Sequence, residues 1–329
     1  MAKEKSNNIF VNERKIIDRI IKGSIKDSEP ESLYSPAKYI LDSDGKRIRG
    51  ILTLLGYKIV NKGKFNKKIY FASVALELLH LFTLIHDDIM DNAKTRRGYQ
   101  TVHEKWDTNT AILCGDFLVG LAFEFLLKAD FPNIDFAVKE FNIALIKVCE
   151  GQAYDKEFEL RKTITLNEYE NMVQLKTGKL IESSLIIGAL LGGAKKKEIE
   201  KLRRYGKLIG KAFQIQDDLL DLVGDENKLG KNKFGDIRES KKTYFFASAL
   251  DFLSKEKKER LLKIFDKKNK SNSDIREVLG FFNSCALISK AQEEINQISF
   301  LAKRSLLIFN EEKRKSLEIL ADKLRIRTY

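Results

Sequence analysis

Proline occurs at only three positions, Pro30, Pro36 and Pro132, and proline is the residue that most reliably interrupts a helix. Between and beyond these points, long segments repeat apolar residues with a period of 3.6, without the alternation and turn clusters that mark short strands. The chain is therefore expected to be all-α. Helices are predicted near 8–26, 34–63 with a break at Asp44-Gly45, 67–92, 106–128, 134–158, 166–191, 196–224, 240–268, 273–308 and 311–325, punctuated by Gly192-Gly193, Gly224-Asp225, Gly230, Gly235 and the polar run 267–274. Its 329 residues suffice for a sizeable core, and with no break in composition they read as one domain, 1–329.

Two of these helices carry the same polar interruption. Asp87-Asp88-Ile89-Met90-Asp91 and Asp217-Asp218-Leu219-Leu220-Asp221 both spell D-D-x-x-D, 130 residues apart. Residues four apart on a helix lie nearly above one another, so Asp87 shares a face with Asp91, and Asp217 with Asp221. Gln214 extends the second stripe, since Gln214, Asp217, Asp218 and Asp221 stand at i, i+3, i+4 and i+7. Apolar residues precede both clusters: Leu78, Leu79, Leu81, Phe82, Leu84 and Ile85 before the first, Ile209, Ala212, Phe213 and Ile215 before the second. Carboxylates in such surroundings are costly unless a cation meets them. Oxygen-only ligands suit hard divalent ions, and Mg²⁺ is commonly shared with substrate phosphates. Two facing clusters would clamp a diphosphate bridged by Mg²⁺.

Cations accompany the clusters. Thr95-Arg96-Arg97-Gly98 follows the first and offers forked guanidiniums to phosphate oxygens. Gly45-Lys46-Arg47-Ile48-Arg49-Gly50 sets three cations on an incipient helix, and Lys176-Thr177 is expected mid-helix between apolar neighbours. Gly230-Lys231 and Lys241-Lys242-Thr243 add more after the second cluster, with Asp236 between them to orient these groups or cap a helix. His80 stands seven residues before Asp87, about 20° away around the helix.

The net charge of +13 is compatible with nucleic acid, an anionic membrane surface or an anionic substrate. Much of it sits in scattered lysines, and no nucleic-acid motif accompanies it, so none is expected as a partner. The N-terminus lacks the apolar core of a signal peptide, and the longest apolar stretches are interrupted by Glu77, His80, Asp116 or Glu124, so no transmembrane segment is expected and a cytoplasmic location is. Cys114, Cys149 and Cys285 form no C-x-x-C and read as buried, reduced thiols.

Taken in order, His80 to Gly98, Gly151-Gln152-x-x-Asp155, Lys176-Thr177, Phe213-Gln-Ile-Gln-Asp-Asp-x-x-Asp221 and Gly235-Asp-Ile-x-x-x-Lys-Lys-Thr243 resemble the trans-isoprenyl diphosphate synthases, the makers of farnesyl, geranylgeranyl and longer polyprenyl diphosphates. The resemblance covers roughly residues 35–250. It implies the type I isoprenoid synthase bundle with a central active-site cavity, a homodimer, and as substrates isopentenyl diphosphate and an allylic prenyl diphosphate. It also implies three Mg²⁺ ions held directly by Asp87, Asp91 and Asp217, with Asp88, Asp218 and Asp221 as ligands or supports. Arg96, Lys176, Lys231 and Lys241 are similar to partners of the allylic diphosphate, and Lys46, Arg49, His80 and Arg97 to the isopentenyl diphosphate site. The Lys176 carbonyl, the Thr177 hydroxyl and Gln214 are similar to groups that steady an allylic cation.

Two departures stand out. Asp44-Gly45-Lys46-Arg47 and Gly50 replace the usual Gly-Gly-Lys-Arg and a proline after the final arginine, and Ser240 replaces a common glycine. Neither removes a ligand. The chain-length pocket is expected beneath the first cluster, at Leu79, Phe82 and Thr83. Ideal periodicity puts Phe82 about 140° from the Asp87 direction, so the choice of Phe82 as its floor rests on the resemblance, an aromatic five before the cluster with none at minus four being similar to synthases of C20 products. That implies geranylgeranyl diphosphate, with farnesyl, C25 or longer products as alternatives. Of the other readings, a His-Asp phosphohydrolase lacks further metal histidines and a terpene cyclase should carry a different second metal motif. A non-catalytic partner subunit would be expected to have lost motif residues, whereas both clusters are intact.

Overall fold

The computed structural model describes residues 2–25, 29–61, 65–224 and 233–325. As predicted, the fold is all-α. In chain order the helices are α1 (Ala2–Lys22), α2 (Glu31–Leu41), α3 (Ile48–Val60), α4 (Lys67–Met90), α5 (Val102–Lys105), α6 (Thr108–Lys128), α7 (Ile134–Leu160) and α8 (Leu166–Val173). A π-helical turn, Gln174–Gly178, leads into α9 (Lys179–Leu191), and α10 (Lys196–Val223), α11 (Gly235–Arg238), α12 (Tyr244–Phe252), α13 (Lys255–Phe265), α14 (Asn272–Ser284), α15 (Leu287–Ser305) and α16 (Glu311–Arg325) complete the chain.

The starts of these helices follow from capping. Asn66 and Asp107 accept the backbone N–H groups of Ile69 and Thr110, and Thr165 with Glu168 forms a reciprocal capping box at α8. The expected helix 240–268 is divided because Leu253 is extended and Ser254 caps a new helix, α13. The expected helix 273–308 is divided at Ala286, whose φ of 53° leaves the right-handed helical region. A small hairpin was not foreseen: β1 (Thr95–Arg96) pairs antiparallel with β2 (Tyr99–Gln100), Thr95 opposite Gln100 and Arg96 opposite Tyr99. Its two turn residues, Arg97 and Gly98, both have positive φ, 53° and 83°, as a two-residue hairpin turn requires.

The chain forms two compact units. The first comprises Met1–Ile146, Leu180–Gly206 and Ser305–Leu317. Within it α4 packs on α6 and α3, α1 lies on α3 and α4, and α2 and α5 lie on α6, with Leu76, Leu78, Leu118 and Ala122 fully buried. Where α3 meets α9, a Cβ on Gly56 would strike the Leu185 carbonyl and one on Gly188 the Thr53 carbonyl, so backbone lies directly on backbone. The second unit comprises Lys147–Lys179, Lys207–Arg304 and Glu318–Tyr329. There α12 packs on α8 and α14, and Ile215, Leu219, Phe245, Phe246 and Phe282 share its core.

The structure bears on the apolar helices and revises the reading of the cysteines. By length and composition α4 and α6 are both apolar enough to cross a membrane, because the interrupting charges are too few to lower their mean hydropathy; 61% and 44% of their most apolar windows are buried inside the protein. Of the three cysteines only Cys114 is buried, while Cys149 is exposed and Cys285 partly so, because α7 turns Cys149 outward.

Candidate active site

The first aspartate cluster closes α4. Asp91 is its C-cap and donates its N–H to the Asp87 carbonyl at 2.9 Å, so these two carboxylates do stand one turn apart on one face. Asp88 points elsewhere. It is buried, and accepts Arg96 Nε at 2.8 and 2.9 Å and Nη2 at 2.7 Å. Burial pushes the Asp88 carboxyl up, against the pull of Arg96. For Arg96 burial opposes the charge, but the Asp88 hydrogen bonds and the charges of Asp88, Asp87 and Asp91 outweigh it and raise its pKa. The hairpin thus delivers a guanidinium locked to the middle carboxylate of the motif.

Beside it lies a basic group built on the start of α3. Arg47, in the left-handed region at φ 49°, is buried and bonds Asp18 Oδ1 at 2.6 Å and the Ser43 carbonyl at 2.8 Å. It is an interior strut. A Cβ on Gly45 would lie 3.1 Å from Arg47 Nη1 and 3.2 Å from Arg97 Nη1, so glycine there admits two guanidiniums side by side. Arg97 also donates to the Asp44 carbonyl. Burial, then the charges of Arg49, Arg97, Arg96 and Arg47, push the His80 pKa well below its ordinary 6.5, so the imidazole is neutral at neutral pH. Arg49, His80 and Arg97 are therefore gathered together, whereas Lys46 is exposed. Glu77, noted in the sequence only as an interruption, is buried among them and accepts the Gly50 N–H at 2.7 Å.

Of the three pocket candidates, Leu79 is fully buried, while Phe82 and Thr83 are half-buried. The Phe82 ring meets the His86 ring edge-on, centroids 4.6 Å apart, and the Thr83 hydroxyl donates to the His80 carbonyl at 2.8 Å. His86 in turn occupies the space that a side chain on Gly115 would fill.

The second cluster divides its labour among three carboxylates. Asp217 lines an open cavity together with Asp155, Lys176, Thr177, Gln214, Asp236 and Lys241. Asp218 is spent internally: its buried carboxylate accepts Tyr169 Oη at 2.7 Å, the Tyr244 N–H at 2.9 Å and Gln214 Nε2 at 2.9 Å. Burial pushes its pKa up, while the three donors hold it down. Asp221 accepts the N–H groups of Gly235 at 3.0 Å and Asp236 at 3.3 Å, fixing the start of α11 and with it the Asp236 side chain in the cavity wall.

Lys176 and Thr177 were expected on a regular helix and lie instead in the π-helical turn, a widening that recurs at functional sites. Lys176 Nζ bonds Asp155 Oδ2 at 2.6 Å, and the Thr177 hydroxyl donates to Gln214 Oε1 at 2.9 Å. The wide turn is seated on glycines: a Cβ on Gly151 would strike the Lys176 backbone nitrogen, and one on Gly210 would lie 2.5 Å from the Gly178 Cα. Lys241 reaches Glu159 at 3.4 Å from the cavity edge. Lys231 lies outside the described residues. Sequence reasoning gave Asp155 no role and missed Tyr169, because a tyrosine in an ordinary helix carries no signal of what its hydroxyl will reach.

Among the described residues no three His, Cys, Asp or Glu groups converge closely enough to hold a metal ion alone. The donors are all carboxylate oxygens, which fits a hard divalent ion that takes further oxygens from a bound phosphate.

Helix ends bearing D-D-x-x-D, each attended by arginines or lysines, on an all-α scaffold define a trans-prenyltransferase. The chain belongs to the polyprenyl synthetase family, whose profile matches residues 30–281. It is 42% identical over 300 residues to the short chain isoprenyl diphosphate synthase of Methanocaldococcus jannaschii, covering 91% of this chain and 90% of that one. It is 38% identical to the geranylgeranyl pyrophosphate synthase of Geoglobus acetivorans, covering 96% and 97%. The crystal structure of geranylgeranyl pyrophosphate synthetase from Pyrococcus horikoshii superposes with a TM-score of 0.92 at 36% identity, covering 99% of this chain and all of that one. The family is generally metal-dependent.

Proposed function

We propose that this prenyltransferase condenses isopentenyl diphosphate with an allylic diphosphate and makes geranylgeranyl diphosphate as its main product, residues 1–329 acting as one functional domain. The observation that carries the reading is the cavity in which Asp217 and Lys176 stand beside the Thr177–Gln214 pair, since leaving-group anion and developing cation need opposite charges a few ångströms apart. Asp87, Asp91 and Asp217 would hold Mg²⁺, three ions with substrate bound. When bound, Mg²⁺ neutralises the leaving diphosphate.

The residues' own parts follow from their chemistry. Lys176, Lys241, Lys231 and Arg96 bind the allylic diphosphate oxygens, and Asp155 keeps the Lys176 ammonium turned to the cavity. As the C1–O bond breaks, its electron pair leaves with diphosphate. The Thr177 and Gln214 oxygens and the carbonyls of the widened turn present negative dipoles to the allylic cation. Lys46, Arg49, His80 and Arg97 bind isopentenyl diphosphate, whose double bond attacks C1. The adduct then loses a proton to the released diphosphate, so no side-chain general base is required. Asp88, Asp218 and Asp221 act as supports, each engaged by protein donors.

A homodimer is part of this reading. Ile112, Leu113 and Leu127 on α6 and Phe136, Ile143 and Ile146 on α7 are exposed large apolar residues, a surface that a second copy would cover; light scattering at the mass of a monomer would refute it. The product is tested by incubation with Mg²⁺, isopentenyl diphosphate and each of the C5, C10 and C15 allylic diphosphates. Elongation ending mainly at C20 is expected; no elongation from any starter would overturn the reading, and termination at C15 or beyond C20 would overturn the product assignment.

A further inference from the structure

We propose that Glu77 is a positioning residue for isopentenyl diphosphate, acting from α4 as the missing N-terminal cap of α3 and thereby fixing Arg49. The inference rests on the reading that Lys46, Arg49, His80 and Arg97 bind that substrate.

Helix α3 starts with three orphan N–H groups in its first turn and no help from its own N-cap, since Arg47 makes no side-chain capping bond. The Arg47 side chain is committed to Asp18 and Ser43. The Glu77 carboxylate supplies what is absent: it accepts the Gly50 N–H at 2.7 Å, and the Arg49 charge favours its ionised form. Only 2% of Glu77 is exposed, so this is a charge-assisted bond in a low-dielectric setting, where it is strong and costly to lose. Arg49 is the residue next to the bonded N–H. Burial pushes the Glu77 pKa up, opposed in part by the Arg47 and Arg49 charges, and Glu77 in turn counters the repulsion among Arg97, Arg96 and Arg47.

The departure from the family pattern at position 50 acquires a meaning here. A proline has no N–H to give, whereas Gly50 donates to Glu77. Its lack of a side chain matters equally, because a Cβ would lie 3.0 Å from Ile17 Cδ1 and 3.2 Å from both Glu77 Cγ and the Ser73 carbonyl. In this chain Glu77 therefore has an N–H at position 50 to hold.

Steady-state kinetics of the full-length enzyme with Mg²⁺ tests this in four variants. Glu77→Gln keeps an acceptor for the Gly50 N–H but removes the charge from that bond and the attraction to Arg49. It should raise the KM for isopentenyl diphosphate about tenfold, the loss of charge assistance to one buried bond, with kcat and the allylic KM within about twofold. Arg49→Ala should raise the same KM at least as far, and the double variant no further than Arg49→Ala alone, since Glu77 acts through Arg49. Gly50→Pro, which removes the N–H that Glu77 accepts and adds a side chain against Ile17, Glu77 and the Ser73 carbonyl, should raise it at least about threefold. Additive effects of Glu77→Gln and Arg49→Ala, or an equal rise in both substrates' KM values, would overturn the proposal. An unchanged KM in Arg49→Ala would instead overturn the binding-site reading beneath it. Should Glu77→Gln fail to fold, a Gly50→Pro enzyme with unaltered isopentenyl diphosphate KM would suffice to reject the role.

Discussion

Replacing Tyr169 by phenylalanine removes one oxygen and leaves the ring. The ring is buried, with 2% exposure, and packs edge-on to Tyr244 at 6.3 Å, so the substitution opens no cavity. What disappears is one of three donors to the buried Asp218 carboxylate, the shortest of them at 2.7 Å. A hydrogen bond to a charged group contributes about 1.5–3 kcal/mol, and no water replaces the hydroxyl in so closed a place, so the destabilisation should be about 2 kcal/mol. Urea unfolding of the metal-free protein followed by far-ultraviolet circular dichroism would show it as a lower midpoint at constant slope. Function should fall as well, because Asp218 also holds Gln214, which holds Thr177; a slackened Asp218 loosens both, and kcat should drop roughly tenfold if about 1.4 kcal/mol of preorganisation is lost. Tyr244→Phe is the control. Its hydroxyl bonds Glu294 at 2.8 Å, on the other side of the ring, while its N–H to Asp218 is retained, so stability should fall and kcat should not. A stability change below about 0.5 kcal/mol in Tyr169→Phe, within the range of neutral surface substitutions, would refute the reasoning, as would equal loss of kcat in the two variants.

Three further outcomes are expected. His80 has a folded pKa well below 6.5, so below pH 6.5 the unfolded chain binds a proton that the folded one refuses; stability is lost as pH falls from 6.5 toward 5, at up to about 1.4 kcal/mol per unit. Denaturant midpoints at successive pH values should show this slope in the parent and a shallower one in His80→Asn. Phe82→Ala, by removing the ring that rests on His86, should shift products toward longer chains by chromatography of the hydrolysed prenols, and an unchanged profile would remove Phe82 from the pocket. Asp87→Ala and Asp217→Ala should each nearly abolish turnover while leaving the far-ultraviolet spectrum unaltered; retention of more than about a tenth of the activity, under 1.4 kcal/mol of lost stabilisation, would argue against metal ligation by that residue.

The helices were legible because apolar periodicity survives along most of the chain, and the ends of α4 and α10 were legible because each cluster interrupts such a stretch. Single-sequence periodicity does not register local backbone departures. The breaks at Ser254 and Ala286 depend on caps and on one positive φ, and the Arg97-Gly98 hairpin turn is only two residues long. Within the site, the i, i+4 rule placed Asp87 and Asp91 correctly. It did not say what the two middle aspartates would meet, and Asp88 and Asp218 have their oxygens taken by Arg96, Tyr169, Tyr244 and Gln214. Gln214 stands four residues before Asp218 on the same helix and was within reach of the rule, but the other partners come from outside the motif, from a hairpin, from α8 and from the start of α12, and no spacing rule reaches them. Glu77 escaped notice for the same reason, since its partner N–H belongs to another helix.

The π-helical turn Gln174–Gly178 is what one surplus residue leaves in an α-helix. A wider turn needs more room, and Gly151 and Gly210 leave it, since a side chain on either would collide with it. Deleting a single residue from the turn would narrow it to an ordinary α-helix and swing Lys176 or Thr177 about 100° around the axis, so the cation and the hydroxyl that line the cavity owe their directions to one surplus residue and to the two glycines that accommodate it.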